Sequence, residues 1–162
     1  MTAADLDAVA ALALVAFPDH YEGRDCFANR LALYPRGCLV LDGPDRSGEA
    51  AAAGYMVAYP WRAGEAPALN TLVDALPAGA DLVYLHDLAL HPRVRGQGWS
   101  RPAVERLADD SRAAGWPALA LVAVNDAAPF WARHGFAVEE SPAMTRKLAS
   151  YGPGARYMVR PL

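Results

Sequence analysis

Lysine is almost missing from this chain: of its 15 basic residues only Lys147 is not an arginine, a bias that, with abundant Ala, reflects GC-rich coding rather than mechanism. Cysteine is scarce. Cys26 and Cys38 are the only two and show no C-x-x-C spacing, which argues against a disulfide framework and points to a reduced, cytoplasmic setting. The four histidines, His20, His86, His91 and His134, form no H-E-x-x-H arrangement, so no metal is expected. No apolar run approaches the ~18 residues of a membrane span. The Ala-rich opening, broken by Asp5 and Asp7, lacks the basic start of a signal peptide. A basic excess is also missing: 15 basic against 18 acidic residues leave a net charge of -3, which argues against a nucleic-acid partner. Any anion site must therefore come from local geometry, not from a global positive field.

The 162 residues are 54% hydrophobic and 20% charged, with a mean hydropathy of +0.05. This is the composition of one ordinary globular domain spanning residues 1–162, long enough to bury a core without staples. Residues 2–17 read as a helix, opened by a Thr2–Asp5 capping box and carrying Leu6, Val9, Ala10, Ala13 and Leu14 at helical spacing. Arg24–Leu33 reads as a second helix, with Phe27 and Leu31 on its buried face. Short strands are expected over residues 38–41 and 52–59, joined by a hairpin loop at Gly43-Pro44-Asp45. Residues 60–81, rich in Pro, Gly and Ala, make a long connection of the kind that is often functional, with a short helix placed at 68–76. Leu82–Leu90 is the strongest strand. After it come a helix over 99–114, a buried strand over 119–124, a short helix over 127–134, and strands starting at Phe136 and Arg156. The order implies a mixed sheet flanked by helices, antiparallel early and parallel in the middle.

The feature that carries chemistry is a strand, then Arg93-Val94-Arg95-Gly96-Gln97-Gly98, then a helix. Glycines there let backbone N–H groups line one concavity, and the helix N-terminus adds partial positive charge. Such a nest binds phosphate, and Arg93 and Arg95 add charge-assisted contacts. It is neither a Rossmann fingerprint, lacking the third glycine, nor a Walker loop, lacking Gly-Lys-Ser/Thr. An ordinary strand-to-helix turn is the bland alternative. The surroundings decide against it. The run Tyr84-Leu85-His86-Asp87-Leu88-Ala89-Leu90, followed by His91-Pro92 and the glycine turn, resembles motif A of the GNAT superfamily of acyl-CoA N-acyltransferases. The downstream run Val124-Asn125-Asp126-Ala127-Ala128-Pro129-Phe130-Trp131, ending in His134-Gly135-Phe136, is similar to its motif B.

The resemblance implies an α/β (α+β) fold with a mixed, mostly antiparallel central sheet flanked by helices and a splayed parallel strand pair in the middle. It implies acetyl-CoA as co-substrate. Leu88, Ala89 and Leu90 would offer backbone groups to the pantetheine. Arg93, Arg95, Gly96, Gln97, Gly98, Trp99 and Ser100 would surround the pyrophosphate, and Asn125 and Phe130 would flank the cofactor arm. The implied reaction is direct acetyl transfer to a primary amine in a ternary complex, with the Leu88 N–H stabilising the oxyanion. His86 is the candidate base, standing where polyamine acetyltransferases look to carry a Glu; its pKa near 6.5 suits proton transfer at neutral pH. A purely structural strand histidine is the competing reading. Alternation puts His86, Leu88 and Leu90 on one face and Asp87 with Leu85 and Ala89 on the other, so Asp87 reads as structural or as an ammonium contact.

Two positions depart from the family pattern. Trp131 stands where many members have a Tyr serving as general acid, a role an indole cannot fill; Tyr84, Tyr151, Tyr157 or water would replace it. Trp99 replaces a small or aliphatic residue and reads as core packing. The acceptor site would draw on the early helices and residues 61–81. Tyr21, Tyr59 and Trp61 with Asp19, Glu22 and Glu65 offer themselves to a cationic amine. The chain opens at a helix cap where the family usually has a strand, leaving a sheet edge that a homodimer partner would cover. Competing functions are a protein N-acetyltransferase, a non-catalytic acyl-CoA binding or sensor domain, and a generic nucleotide-binding module.

Overall fold

The computed structural model describes residues 1–44, 50–140 and 142–162. Among them are five α-helices, α1 (Leu6–Ala16), α2 (Arg24–Leu33), α3 (Ser100–Ala113), α4 (Ala128–Ala132) and α5 (Pro142–Ala149), and six strands. The strands are β1 (Cys38–Pro44), β2 (Ala50–Trp61), β3 (Leu82–Leu90), β4 (Ala118–Ala123), β5 (Ala137–Val138) and β6 (Arg156–Pro161). Their order is β1-β2-β3-β4-β6-β5. β3 and β4 run parallel, and the pairs β1–β2, β4–β6 and β5–β6 are antiparallel. The expected mixed sheet flanked by helices is thus present. Of the expected hairpin loop, Asp45 lies outside the described residues.

The chain divides into two compact units. The first comprises Met1–Tyr59, Ala68–Ala75 and Asp87–Ala103. The Thr2 amide and hydroxyl donate to Asp5 Oδ2 at 2.6 and 3.0 Å, so the capping pair forms, though its first turn is a 3-10 turn (Ala3–Asp5). α1 buries Leu6, Val9, Leu12 and Ala13, while Leu14 is 55% exposed. The expected stripe was thus rotated, because α1 is apolar nearly all round and its pattern does not fix a face. α2 has the expected bounds and buries Phe27, but Arg30 is buried with it and Leu31 is only half-buried.

No helix forms at 68–76; the segment is turns and bends. Its backbone is held by α2 and the residues before it instead. Asn70 N–H donates to Glu22 Oε1 (2.8 Å), and the Thr71 carbonyl accepts from Arg30 Nη2 (2.8 Å). The Asn29 amide grips both the N–H and the carbonyl of Val73, at 2.9 and 3.0 Å. Tertiary hydrogen bonds satisfy the groups a helix would have paired internally, and Asn70, at φ 50°, stands in the left-handed region.

The second unit comprises Pro60–Pro67, Leu76–His86 and Val104–Leu162. Its parallel pairing covers only Val83–Leu119 and Tyr84–Ala120, whereas β4 and β6 pair over six residues each. α5 was not anticipated, although Met144, which is buried, and Leu148, which is half-buried, stand one helical turn apart. Arg160 fixes this unit with a bidentate pair to Glu105 (3.1 and 2.8 Å) and a bond to the His134 carbonyl (3.0 Å). Gly135, at φ 83°, packs where a Cβ would stand 3.3 Å from Arg160 Nε.

Both cysteines are free and buried. Burial pushes the Cys38 thiol up to about 11 from 9.0. Above pH 9 the unfolded chain therefore loses a proton that the folded chain keeps, so stability is full below pH 9 and falls as pH rises toward 11. Two pH units correspond to roughly 2–3 kcal/mol. Thermal midpoints measured at pH 8 and 10.5 should fall in the wild type and fall less in Cys38→Ala.

Candidate functional site

Burial along β3 does not follow the strict alternation expected from the sequence: Leu82 to Leu85 are all buried, and His86, Asp87 and Leu88 are all half-buried. Ala89 is buried and Leu90 half-buried. Asp87 Oδ2 accepts the Tyr55 hydroxyl at 3.1 Å. Tyr55 in turn meets Phe27 edge-on at 5.4 Å. These residues belong to a polar cluster inside the first unit. Glu22 (3% exposed) has a carboxylate oxygen within 4.8 Å of one on Asp87. Arg30 (1% exposed) lies 5.5 Å over the Tyr59 ring. The Tyr55 phenol is raised well above 10.0 by burial and then by the negative Asp87 carboxylate that accepts its hydrogen bond. Burial likewise raises Tyr59, with Arg30 opposing it. Of the acceptor candidates, Glu22 and Tyr59 are thus buried in this cluster, and Tyr21 is 44% exposed.

The end of β3, the loop after it and the start of α3 lie in the first unit, which thus carries Leu88, Ala89, Leu90, Arg93, Arg95, Gly96, Gln97, Gly98, Trp99 and Ser100. The loop uses its first amides internally. Arg93 N–H donates to His91 Nδ1 (3.2 Å), Val94 N–H to the His91 carbonyl (2.9 Å) and Arg95 N–H to the Pro92 carbonyl (3.3 Å). The next four behave differently. Among the described residues, the N–H groups of Gly96, Gln97, Gly98 and Trp99 donate to nothing in the chain. Gly96 and Gly98 take φ of 78° and 86°, and a Cβ on either would meet no atom within 4 Å. Four consecutive unused donors, two glycines facing open space and the first turn of a 14-residue helix are the features from which anion nests are built.

Side chains stiffen this loop. Arg95 Nε donates to the Leu90 carbonyl (2.9 Å), Gln97 Nε2 to the Arg93 carbonyl (3.0 Å) and Trp99 Nε1 to Gln97 Oε1 (3.3 Å). Trp99 is 44% exposed, so the expectation of core packing is overturned. Its indole N–H braces the loop from the surface.

The remaining candidates lie in the second unit. His86 has its ring 6.0 Å from that of Tyr84. Asn125 is exposed at φ 52° and Asp126 follows at φ 57°. Two consecutive non-glycine residues in the left-handed region are strained, a condition that clusters at working sites. Gly154 makes room for them: a Cβ there would stand 2.7 Å from Asp126 Oδ1. Trp131 is nearly buried, edge-on to Phe130 (5.0 Å) and Phe136 (5.6 Å). It is a packing residue. The Tyr157 hydroxyl accepts from Gly64 N–H (3.0 Å), and that of Tyr151 donates to the Pro67 carbonyl (3.1 Å). Both tyrosines thereby anchor the long connection. Burial raises the Tyr157 phenol.

Arg30, Asn29 and Asn70 escaped the sequence reading. The available signal was Arg30 three residues after Phe27, on the same helical face.

The model of the acetyltransferase (GNAT) family matches residues 6–136. The chain belongs to that family. Solved structures agree on the GNAT fold. Ard1 from Thermoplasma volcanium superposes with a TM-score of 0.72 at 12% identity, covering 100% of this chain and 94% of that one. The GphF GNAT-like decarboxylase in complex with isobutyryl-CoA gives 0.72 at 19% identity, covering 99% and 96%. N-acetylglutamate synthase from Neisseria gonorrhoeae, complexed with coenzyme A and N-acetyl-glutamate, gives 0.69 at 20% identity, covering 98% of this chain and 33% of that one. No curated protein matches the sequence. Among the described residues, no helix is long and apolar enough to cross a membrane.

Proposed function

We propose that this GNAT protein transfers an acetyl group from acetyl-CoA to a primary amine by direct attack in a ternary complex. The observation that carries the reading is the row of unused N–H groups from Gly96 to Trp99 at the start of α3. A pyrophosphate there takes the donors and the helix dipole without needing a basic protein. Arg93 and Arg95, both exposed, add charge-assisted contacts. By position in the motifs, the backbone of Leu88, Ala89 and Leu90 carries the pantetheine, and Asn125 and Phe130 flank it.

In this reading His86 takes a proton from the acceptor ammonium. The free amine attacks the thioester carbonyl, forming the C–N bond. The Leu88 N–H supports the oxyanion, the C–S bond breaks, coenzyme A leaves as thiolate, and the nitrogen sheds its second proton to solvent to give the neutral amide. Trp131 is no acid, Tyr84 is buried at 3% exposure, and the Tyr151 and Tyr157 hydroxyls anchor the 64–67 segment, so in this reading solvent returns the proton to sulfur.

The test is thiol release from acetyl-CoA over polyamines, amino acids, aminoglycosides and short peptides, with acetyl-CoA affinity followed by calorimetry. His86→Ala is expected to lower kcat about 10²–10⁴-fold on any amine the wild type accepts, with acetyl-CoA affinity unchanged. An unchanged kcat removes His86 as base. Turnover confined to the peptides makes it a protein N-acetyltransferase, and binding without turnover makes it an acyl-CoA binding domain.

A further inference from the structure

We infer that Tyr55 is a positioning residue for the transfer step: its hydroxyl, through Asp87, fixes the end of β3 and so aims the Leu88 N–H. The inference deepens the acyl-transfer reading and rests on it.

β2 and β3 are neighbours in the sheet, and the first unit holds Tyr55 of β2 together with Asp87–Leu90 of β3. Backbone contacts fix one edge of that run. His91 N–H donates to the Ala53 carbonyl at 2.8 Å. The end of β3 also lies so close to Gly54 that a Cβ there would stand 2.9 Å from the Ala89 carbonyl oxygen and 2.6 Å from Leu90 Cδ2. In a strand the N–H and C=O of one residue point to the same edge, and those of the next residue to the other edge. Ala89 and His91 therefore address β2, and Leu88 turns its N–H and its carbonyl away from it. Among the described residues the pairing of β3 with β4 ends at Tyr84, so no ladder with β4 claims the Leu88 N–H. Such a donor is aimed only as well as its own strand is held.

A side chain supplies the second hold. Asp87 directly precedes Leu88, and its Oδ2 accepts the Tyr55 hydroxyl at 3.1 Å. Tyr55 is itself locked in place, 2% exposed and edge-on to Phe27 at 5.4 Å. Its phenol, raised well above 10.0, stays a donor at any neutral working pH. Leu88 thus stands between two points tied to β2: the Asp87 side chain before it and the His91 N–H after it. A hydrogen bond to a charged carboxylate is among the stronger ties a side chain makes. Removing it leaves the run attached at its far end only, and an oxyanion donor acts through its direction as much as its presence.

The experiment is steady-state kinetics of the full chain with acetyl-CoA and an amine the wild type accepts, with acetyl-CoA affinity by calorimetry and a melting curve for each variant. Tyr55→Phe removes the hydroxyl and keeps the ring. It is expected to lower kcat about tenfold, part of the ~10²–10³-fold that loss of a whole oxyanion donor costs, and to move KM for the amine and acetyl-CoA affinity less than about twofold. In an Asp87→Ala background, where the acceptor is already gone, the same change is expected to lower kcat less than about twofold. Asp87→Asn keeps an acceptor oxygen and should preserve the Tyr55 effect; it serves if the alanine variant does not fold or turn over. A lower midpoint with kcat unchanged makes Tyr55 a purely structural residue and overturns the inference. An equal fall in the wild-type and Asp87→Ala backgrounds shows that Tyr55 acts by another route and overturns it too. Both outcomes leave acyl transfer intact. Absence of wild-type turnover over the whole amine panel overturns acyl transfer and this inference with it.

Discussion

Gly98→Val is expected to weaken acetyl-CoA binding about a hundredfold, or close to 3 kcal/mol, while the chain stays folded. Gly98 sits at φ 86°, and a Cβ there meets no atom within 4 Å. Inside the protein the new side chain therefore has room. Its cost to the fold is the left-handed backbone, about 1–2 kcal/mol, or a fall of roughly 2–8 °C in midpoint for a domain of this size. The cost to the ligand is larger, because the side chain stands in the open space before the unused N–H groups of Gly96, Gln97, Gly98 and Trp99. Relaxing φ to a right-handed value also turns those amides out of register. Calorimetry and a melting curve on one sample separate the two effects. Unchanged affinity would place the phosphates elsewhere.

Gly37→Ala should act in the opposite way, on the fold rather than the ligand. A Cβ at Gly37 would lie 1.9 Å from the Ala58 carbonyl oxygen and 2.8 Å from its carbon. The obstacle is backbone of β2, beside the Cys38–Val57 pair that opens the hairpin, so no side-chain rotation relieves it. Separating β1 from β2 there is expected to cost about 3 kcal/mol or more, lowering the midpoint by roughly 6–12 °C. Gly115→Ala supplies the contrast: φ is 82° but nothing lies within 4 Å, so only the backbone cost of about 1 kcal/mol is expected. Equal midpoints for the two variants would contradict the close approach at Ala58.

The elements read most accurately were those whose signal is local. β3 has the predicted bounds because its apolar run ends at His91-Pro92, and α2 because Gly23 and Pro35 bracket it. The left-handed backbone of the glycine turn was legible for the same reason: Gly96 and Gly98 announce positive φ in the sequence itself. Failures came where long-range contacts decide. The helix placed at 68–76 lost to hydrogen bonds donated by Arg30 and accepted by Asn29 and Glu22, about 40 to 50 residues away. The face of α1 could not be fixed from a segment apolar on all sides, so Leu12 was missed and Leu14 wrongly buried. Trp99 was assigned to the core on hydrophobicity alone, whereas its indole N–H joins Gln97 at the surface. The Glu22–Asp87 pair is invisible in sequence, because nothing local states that residues 65 positions apart approach within 4.8 Å.

The central claim is that the amides opening α3 hold the phosphates of an acyl-CoA. It is tested most directly by titrating acetyl-CoA into ¹⁵N-labelled protein and following individual backbone amides. The account predicts that Gly96, Gln97, Gly98 and Trp99 show the largest proton shifts, downfield as each gains a charge-assisted hydrogen bond, and that adenosine without phosphate leaves them in place. Saturable binding of acetyl-CoA with those four resonances unmoved would contradict it.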